Sequence, residues 1–233
     1  KMGHPNFAIR EYRNYLAHHP DGDRAAEAET RIKILREFAP HGGGTLPEGL
    51  LELLTNLPAL SGDAHAQFMI GRFLYERRDY QLASHRLLAS LSGDTPPPFA
   101  PEAGLLLGKC YQKLASRARL EGRRGKADEY LLLALSAHRD VVSNFQESEW
   151  GDDAALGLIG AELADLEPDT TRAVRMLEAY QGFQETYPKS DRLDAALLGT
   201  AEGHFLLGET DASHYGKALK AYRDFTERFP QSP

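Results

Sequence analysis

The stretch Met176-x3-Tyr180-x2-Phe183-x4-Pro188 decides how this chain folds, because the chain contains it in three versions. Ala8-x3-Tyr12-x2-Tyr15-x4-Pro20 and Ala218-x3-Tyr222-x2-Phe225-x4-Pro230 superimpose on it residue for residue. Each copy sets a small or flexible residue and two aromatics at i, i+4 and i+7, one face of a helix, and then stops that helix with a proline. A helix that reuses one aromatic stripe needs a neighbouring copy to bury it, so the pattern predicts a solenoid and a role in holding other molecules rather than in chemistry.

The repeat extends outward from these copies. Pro188 and Pro230 lie 42 residues apart, and one more step of 42 back from Pro188 lands on Gln146. There Phe145, Ser148 and Asp152 stand where Tyr187, Ser190 and Asp194 stand one unit later, so the register continues with its proline lost. Period-two alternation is almost absent and Ala, Leu, Glu and Arg dominate, which predicts an all-helical chain. Helices are expected near 5–19, 22–38, 47–57, 63–77, 79–91, 101–120, 124–145, 152–166, 169–187, 191–207 and 212–229. Pro20, Pro40, Pro188 and Pro230 end helices, Gly42-Gly43-Gly44 frees the chain, and Pro96-Pro97-Pro98 forces an extended segment. Asp63, Asp152, Asp169 and Asp191 each precede an apolar-periodic run and read as N-caps.

Composition narrows the partners. The 233 residues are 42% hydrophobic and 26% charged, with a net charge of -7 and a pI near 5.7. That balance argues against nucleic acid and against an anionic membrane surface. The charge is uneven: from Glu147 onward eight Lys/Arg face seventeen Asp/Glu, a net of -9, which leaves +2 for everything before it. The single cysteine, Cys110, excludes an internal disulfide and any Cys-based zinc site, and beside Leu106, Leu107 and Tyr111 it reads as a buried small hydrophobe. No run is long enough to cross a bilayer and no signal segment opens the chain, so an exported protein would have lost its signal before Lys1.

Residues Ala66 to Thr95 resemble a tetratricopeptide repeat: Gly71, Tyr80, Ala83 and Leu87 stand where that motif places its close-packing glycine, turn aromatic, inter-helix alanine and core hydrophobe. His204–Asp211 and the closing Ala218-x3-Tyr222-x2-Phe225-x3-Phe229-Pro230-Gln231-Ser232 look like the same family. The aromatic-Pro-x-Ser ending is most similar to the long-helix repeats of bacterial envelope proteins, among them outer-membrane assembly lipoproteins and periplasmic coordinators of envelope constriction. The resemblance covers most of residues 5–38 and 62–233 and implies an all-α, right-handed superhelix of antiparallel helix pairs. The expected organisation is a partial unit over 1–40, an irregular connection with a short helix over 41–61, and repeats over 62–96, 101–146, 152–188 and 191–230. The chain departs from the short consensus in its longer helices and in an expansion at Ala212–Gly216. The first striped helix lacks the helix that should pack on it, so the chain reads as a fragment of a longer array, with self-association through the bare edge as the alternative.

Signatures of chemistry are missing. There is no Gly-x-Ser-x-Gly elbow and no phosphate-cradling loop, and Gly122–Lys126 is too short to be one. His18 and His19 are adjacent and point about 100° apart on a helix. His65, His85, His138, His204 and His214 come singly, without helical metal-site spacing, so neither a metal nor any cofactor is expected. Asp21-Gly22-Asp23 and the Glu147–Asp153 cluster lack the calcium-loop series and read as charges at helix starts. Trp150, in a predicted turn, reads equally as a cap on the core or as a partner contact. The aromatic stripes read as core.

The most distinctive polar feature is the basic run Lys109, Lys113, Arg117, Arg119, Arg123, Arg124 and Lys126, interrupted only by Glu121. It is either a solvated face or a docking strip for an acidic partner, and no aromatics alternate with it to stack bases. The resemblance implies a non-enzymatic scaffold that binds a partner segment in a concave face lined by the first helix of each pair. Matched onto this sequence, that groove comprises His65, Phe68, Arg72, Tyr75 and Glu76, then Leu105, Lys109, Gln112 and Lys113. The partner expected is another protein or peptide carrying acidic side chains. A periplasmic or envelope location follows from the style of repeat, with a cytoplasmic regulator as the alternative. A helical-array enzyme acting on a glycan or other polymer, or a purely structural spacer, are the competing classes.

Overall fold

A computed structural model describes residues 64–164 and 166–231, together with isolated helical positions between Tyr12 and Ile32. Contacts divide the chain into two compact units, Lys1–Asp63 and Ala64–Pro233. In the first unit Tyr12 and Tyr15 are half-buried and helical, and Ala28 and Ile32 are buried. The expected helix at 47–57, the Asp63 cap, His18-His19, Asp21-Gly22-Asp23 and the Gly42–Gly44 run lie outside the described residues.

The second unit consists of eight helices: α1 Ala64–Glu76, α2 Tyr80–Ser90, α3 Ala100–Leu120, α4 Arg124–Phe145, α5 Gly151–Leu163, α6 Thr170–Thr186, α7 Leu193–Leu207 and α8 Ser213–Arg228. Every regular element among the described residues is a helix. Each helix packs on the next in the chain, and α3 also packs on α1 and on α5, so the first helices of the first three pairs are neighbours.

The turns explain the pairing. α1 ends with Arg78 at φ 63°, its N–H donating to Tyr75 O at 2.9 Å and the Asp79 N–H donating to Leu74 O at 2.9 Å. α3 ends the same way, with Gly122 at φ 74° and donations from Gly122 to Arg119 O (3.0 Å) and from Arg123 to Ala118 O (2.8 Å). These are left-handed helix caps of the Schellman type, which reverse the chain in a few residues. Asp79 then caps α2 by accepting from the Leu82 N–H at 3.2 Å, and Asp169 caps α6 by accepting from the Arg172 N–H at 3.0 Å.

The 42-residue register is visible in the backbone. α6 and α8 end at Tyr187 (φ -122°, ψ 58°) and Phe229 (φ -129°, ψ 59°), each donating its N–H to the aromatic four residues earlier, Phe183 and Phe225. Pro188 and Pro230 follow, and a residue before proline is pushed out of the helical region. One unit upstream, where Gln146 replaces the proline, the cap residue Gln146 itself stays helical at φ -52°, ψ -39°. The turn beyond is nevertheless shared, since Ser148 donates to Phe145 O at 2.9 Å as Ser190 donates to Tyr187 O at 3.1 Å.

Packing follows the residues singled out by pattern. A Cβ on Gly71 would lie 2.7 Å from Leu87 Cγ, so α1 and α2 approach this closely only because Gly71 has no side chain. Ala83 and Leu87 are fully buried at that contact. Met176 and Phe183 are core residues, joined by Ile159, Leu163 and Ala196 and flanked by Tyr180 and Tyr187. Trp150 packs on Leu105, Val141 and Ala154, so it caps the core. The α8 stripe is only half-buried at Tyr222, Phe225 and Phe229, while Ala218 is buried.

Two caps differ from expectation. α5 starts after Trp150 and α7 after Arg192, neither with a side-chain cap. Asp152 instead sits in the first turn of α5 and accepts from the Ser190 hydroxyl at 2.5 Å, a contact across 38 residues that local pattern does not encode.

Candidate functional site

The face shared by α1, α3 and α5 carries a ladder of alternating charge. It begins on α1, where Arg72 Nε lies 3.7 Å from Glu76 Oε1, and crosses to α3, where Arg72 Nη1 lies 3.3 Å from Glu102 Oε1. Further along α3, Lys109 Nζ reaches Asp153 Oδ2 on α5 at 3.6 Å. Asp153 Oδ1 in turn accepts from Arg192 Nε at 2.8 Å, bringing in the turn before α7. Side-chain exposure is 34% for Arg72, 18% for Glu102, 29% for Lys109 and 20% for Asp153, so the ions are screened less than a surface pair. Burial pushes the Glu102 carboxyl above its usual range, while Arg72 pulls it back and Glu149 and Glu76 add to the rise.

The structure places the nine expected groove residues in three kinds of environment. Phe68 and Leu105 are buried: Phe68 stacks on Phe99 at 4.6 Å and 10°, and Leu105 packs with Val141 and Ala154. These two support the face from beneath and offer a partner no surface, a correction that follows from α1 and α3 turning them inward. Arg72, Tyr75, Lys109 and Gln112 are half-buried on the face. Tyr75 meets Tyr80 edge-on at 5.7 Å, and burial raises its phenol. Gln112 donates to Gly157 O at 2.8 Å, tying α3 to α5. His65, Glu76 and Lys113 are exposed, with the His65 ring 5.7 Å from that of Phe99. Arg72 and Lys109 are each held by a carboxylate of a neighbouring helix, Glu102 and Asp153, and so meet a partner only from their outward sides.

Most of the basic run is likewise engaged from within. Glu121, which seemed to interrupt it, accepts from Arg117 at 2.9 Å and also pairs with Arg123. Lys126 bonds Glu129 at 2.8 Å and sits 4.9 Å over the Tyr130 ring, and Arg119 donates to Ala164 O at 2.7 Å.

Beneath the ladder lies a residue that the sequence marks only as one of several solitary histidines. His138, on α4, is fully buried, and neither ring nitrogen has a hydrogen-bond partner. Its ring fills a slot between α3 and α5 that exists because Gly108 and Gly157 have no side chains: a Cβ on Gly108 would lie 2.5 Å from His138 Cε1, and one on Gly157 would collide with the same atom. Burial, and then Lys109, lower its pKa to about 4, with Asp153 acting the other way. The imidazole is neutral at pH 7 and locks three helices together directly under Lys109 and Asp153. Glycines in α3 and α5 at Gly108 and Gly157 were the available signal, but only the fold shows that they flank one ring.

Elsewhere, Cys110 is fully buried and its thiol is pushed up to about 12, as expected of a cysteine acting as a hydrophobe. Among the described residues no three His, Cys, Asp or Glu side chains are arranged to hold a metal ion, and no helix is long and apolar enough to cross a membrane. His204 and His214, which look solitary in sequence, are brought together between α7 and α8. The chain matches no protein-family profile and no curated protein sequence.

Proposed function

We propose that this protein is a non-enzymatic interaction scaffold, a tetratricopeptide-like array of helix pairs that docks a segment of another protein on the face formed by α1, α3 and α5. The observation that carries the proposal is the charge ladder itself: three successive first helices put half-exposed, internally paired side chains on one surface, with Gln112 and His138 fixing the helices beneath it. A surface whose side chains are already ordered loses less conformational entropy when it binds. Tyr75 and Lys113 are the groups best placed to meet a partner, the first as a half-buried ring and the second as an exposed cation. An acidic segment would engage Lys113 and the outward sides of Arg72 and Lys109, giving modest and salt-sensitive affinity.

The two partly buried carboxylates of the ladder also favour this function over a hydrolase. Glu102 and Asp153 are each held by a cation, not poised against one another as a general acid and base. The style of repeat suggests an assembly role in a bacterial envelope.

The test is affinity capture from the source organism's extract with wild type, Lys113→Glu and Tyr75→Ala, read by quantitative mass spectrometry. The proposal expects a protein retained by wild type and lost from Lys113→Glu, whose side chain is exposed and can change without disturbing the core. Equal recovery with all three would refute docking at this face.

A further inference from the structure

The last helix pair holds two imidazoles in a geometry suited to a metal ion. His204 Nδ1 on α7 and His214 Nδ1 on α8 are 3.0 Å apart, with ring centroids at 5.1 Å and planes inclined by 53°. Two adjacent nitrogen ligands lie roughly 2.8 Å apart on a square-planar or tetragonal ion and roughly 3.3 Å apart on a tetrahedral one. The present spacing falls between the two, and a turn of each ring that aims both lone pairs at one ion converts the hydrogen-bonded pair into a chelate.

Two features of the packing hold the pair in place. The helices carrying it are clamped at this spacing by the residues that follow each histidine: the Phe205 and Tyr215 rings meet edge-on at 5.7 Å, and Tyr215 lies on Gly208, where a Cβ would come 2.5 Å from its ring. Behind His214, the Asp211 carboxylate stands 3.9 Å from Nε2, on the side away from His204. That carboxylate is itself fixed by the Ser213 N–H at 3.0 Å. At 3.9 Å from the ring no hydrogen bond forms, and the carboxylate acts through its charge, which favours the proton on Nε2 and leaves Nδ1 as the donor to a metal ion. Burial, and then His214 and Lys217, hold His204 below the ordinary histidine range. Lys217 also sets a limit, because its charge opposes a cation.

We propose that His204 and His214 form a two-nitrogen site for a late first-row divalent metal ion, with Asp211 as the positioning carboxylate and water filling the other coordination positions. Imidazole donors without thiolate or a third side chain favour Cu(II) over Zn(II). This inference is independent of the docking face on α1, α3 and α5.

The experiment titrates CuCl2 and ZnCl2 separately into the full chain at pH 7.5 by calorimetry, with wild type, His204→Gln, His214→Gln, Asp211→Asn and, as a control, the exposed His85→Gln. Circular dichroism checks the fold of each variant. Wild type and His85→Gln are expected to bind one Cu(II) equivalent more than His204→Gln or His214→Gln, with Zn(II) weaker. Asp211→Asn should keep the stoichiometry and bind about threefold more weakly, the consequence of losing one negative charge beside the site. In unaltered protein, substoichiometric Cu(II) should broaden the ring-proton resonances of His204 and His214 before that of His85. Identical stoichiometry and affinity in all variants, or equal broadening of every histidine, would overturn the site.

Discussion

Replacing His138 should remove a defined part of the protein's acid sensitivity. The imidazole is fully buried without a hydrogen-bond partner, and its pKa is lowered to about 4 from the ordinary 6.5. The unfolded chain therefore takes up a proton at His138 as pH falls through 6.5, whereas the folded chain resists until about 4. The stability that depends on a neutral ring is fully present above 6.5, declines between 6.5 and 4, and levels off below. One pKa unit corresponds to about 1.4 kcal/mol, so the decline totals about 3 kcal/mol across that window. The assay is urea denaturation of wild type and His138→Phe at half-unit steps from pH 4 to 8. Carboxylates such as Glu102 titrate in both proteins and cancel in the difference. His138→Phe keeps a flat ring in the slot between Gly108 and Gly157, and its absolute stability does not enter, because the readout is how the difference changes with pH. A difference that is flat from pH 7 to 4, or a His138 ring that titrates near 6.5 in the native protein by NMR, would refute the reasoning.

Other outcomes follow from the same packing. Gly108→Ala drives a methyl into the His138 ring and should cost about 1–3 kcal/mol; adding His138→Ala should return part of that loss, as thermal melting would show. Arg72→Glu with Lys109→Glu sets new carboxylates against Glu102 and Asp153, so it should lower the melting temperature by several degrees at low salt, equivalent to about 1–3 kcal/mol; adding Glu102→Arg should restore part of it. Arg78→Gly removes a side chain from the left-handed cap at φ 63° and should stabilise the protein by about 1 kcal/mol in chemical denaturation. Cys110, buried and with its thiol raised to about 12, should resist iodoacetamide in native buffer and react at once in denaturant.

The helices were legible because their signals are local. The expected spans 63–77, 79–91, 101–120 and 124–145 meet observed helices at Ala64–Glu76, Tyr80–Ser90, Ala100–Leu120 and Arg124–Phe145. Prolines, turn glycine and aromatic stripes act within one or two turns of where they stand. The candidate face was less legible, because its character is set by pairs distant in sequence. Arg72 reads as an exposed cation until Glu102 is seen beside it, and Asp152 reads as a cap until Ser190 arrives from the next pair. The packing role of His138 was illegible for the same reason: its environment is made by two glycines on other helices, at separations that no periodicity marks. Phe68 and Leu105 were placed in the groove by motif spacing, but a rotation of a helix by one position along its face separates a groove residue from a core one.

Docking on the face of α1, α3 and α5 can be followed by hydrogen–deuterium exchange of the full chain with and without its captured partner. Added protection is expected in peptides covering 72–76, 109–113 and 151–153, with α2 and α4 unchanged. Protection confined to α2, α4 or α6, with none on the first helices, would contradict it.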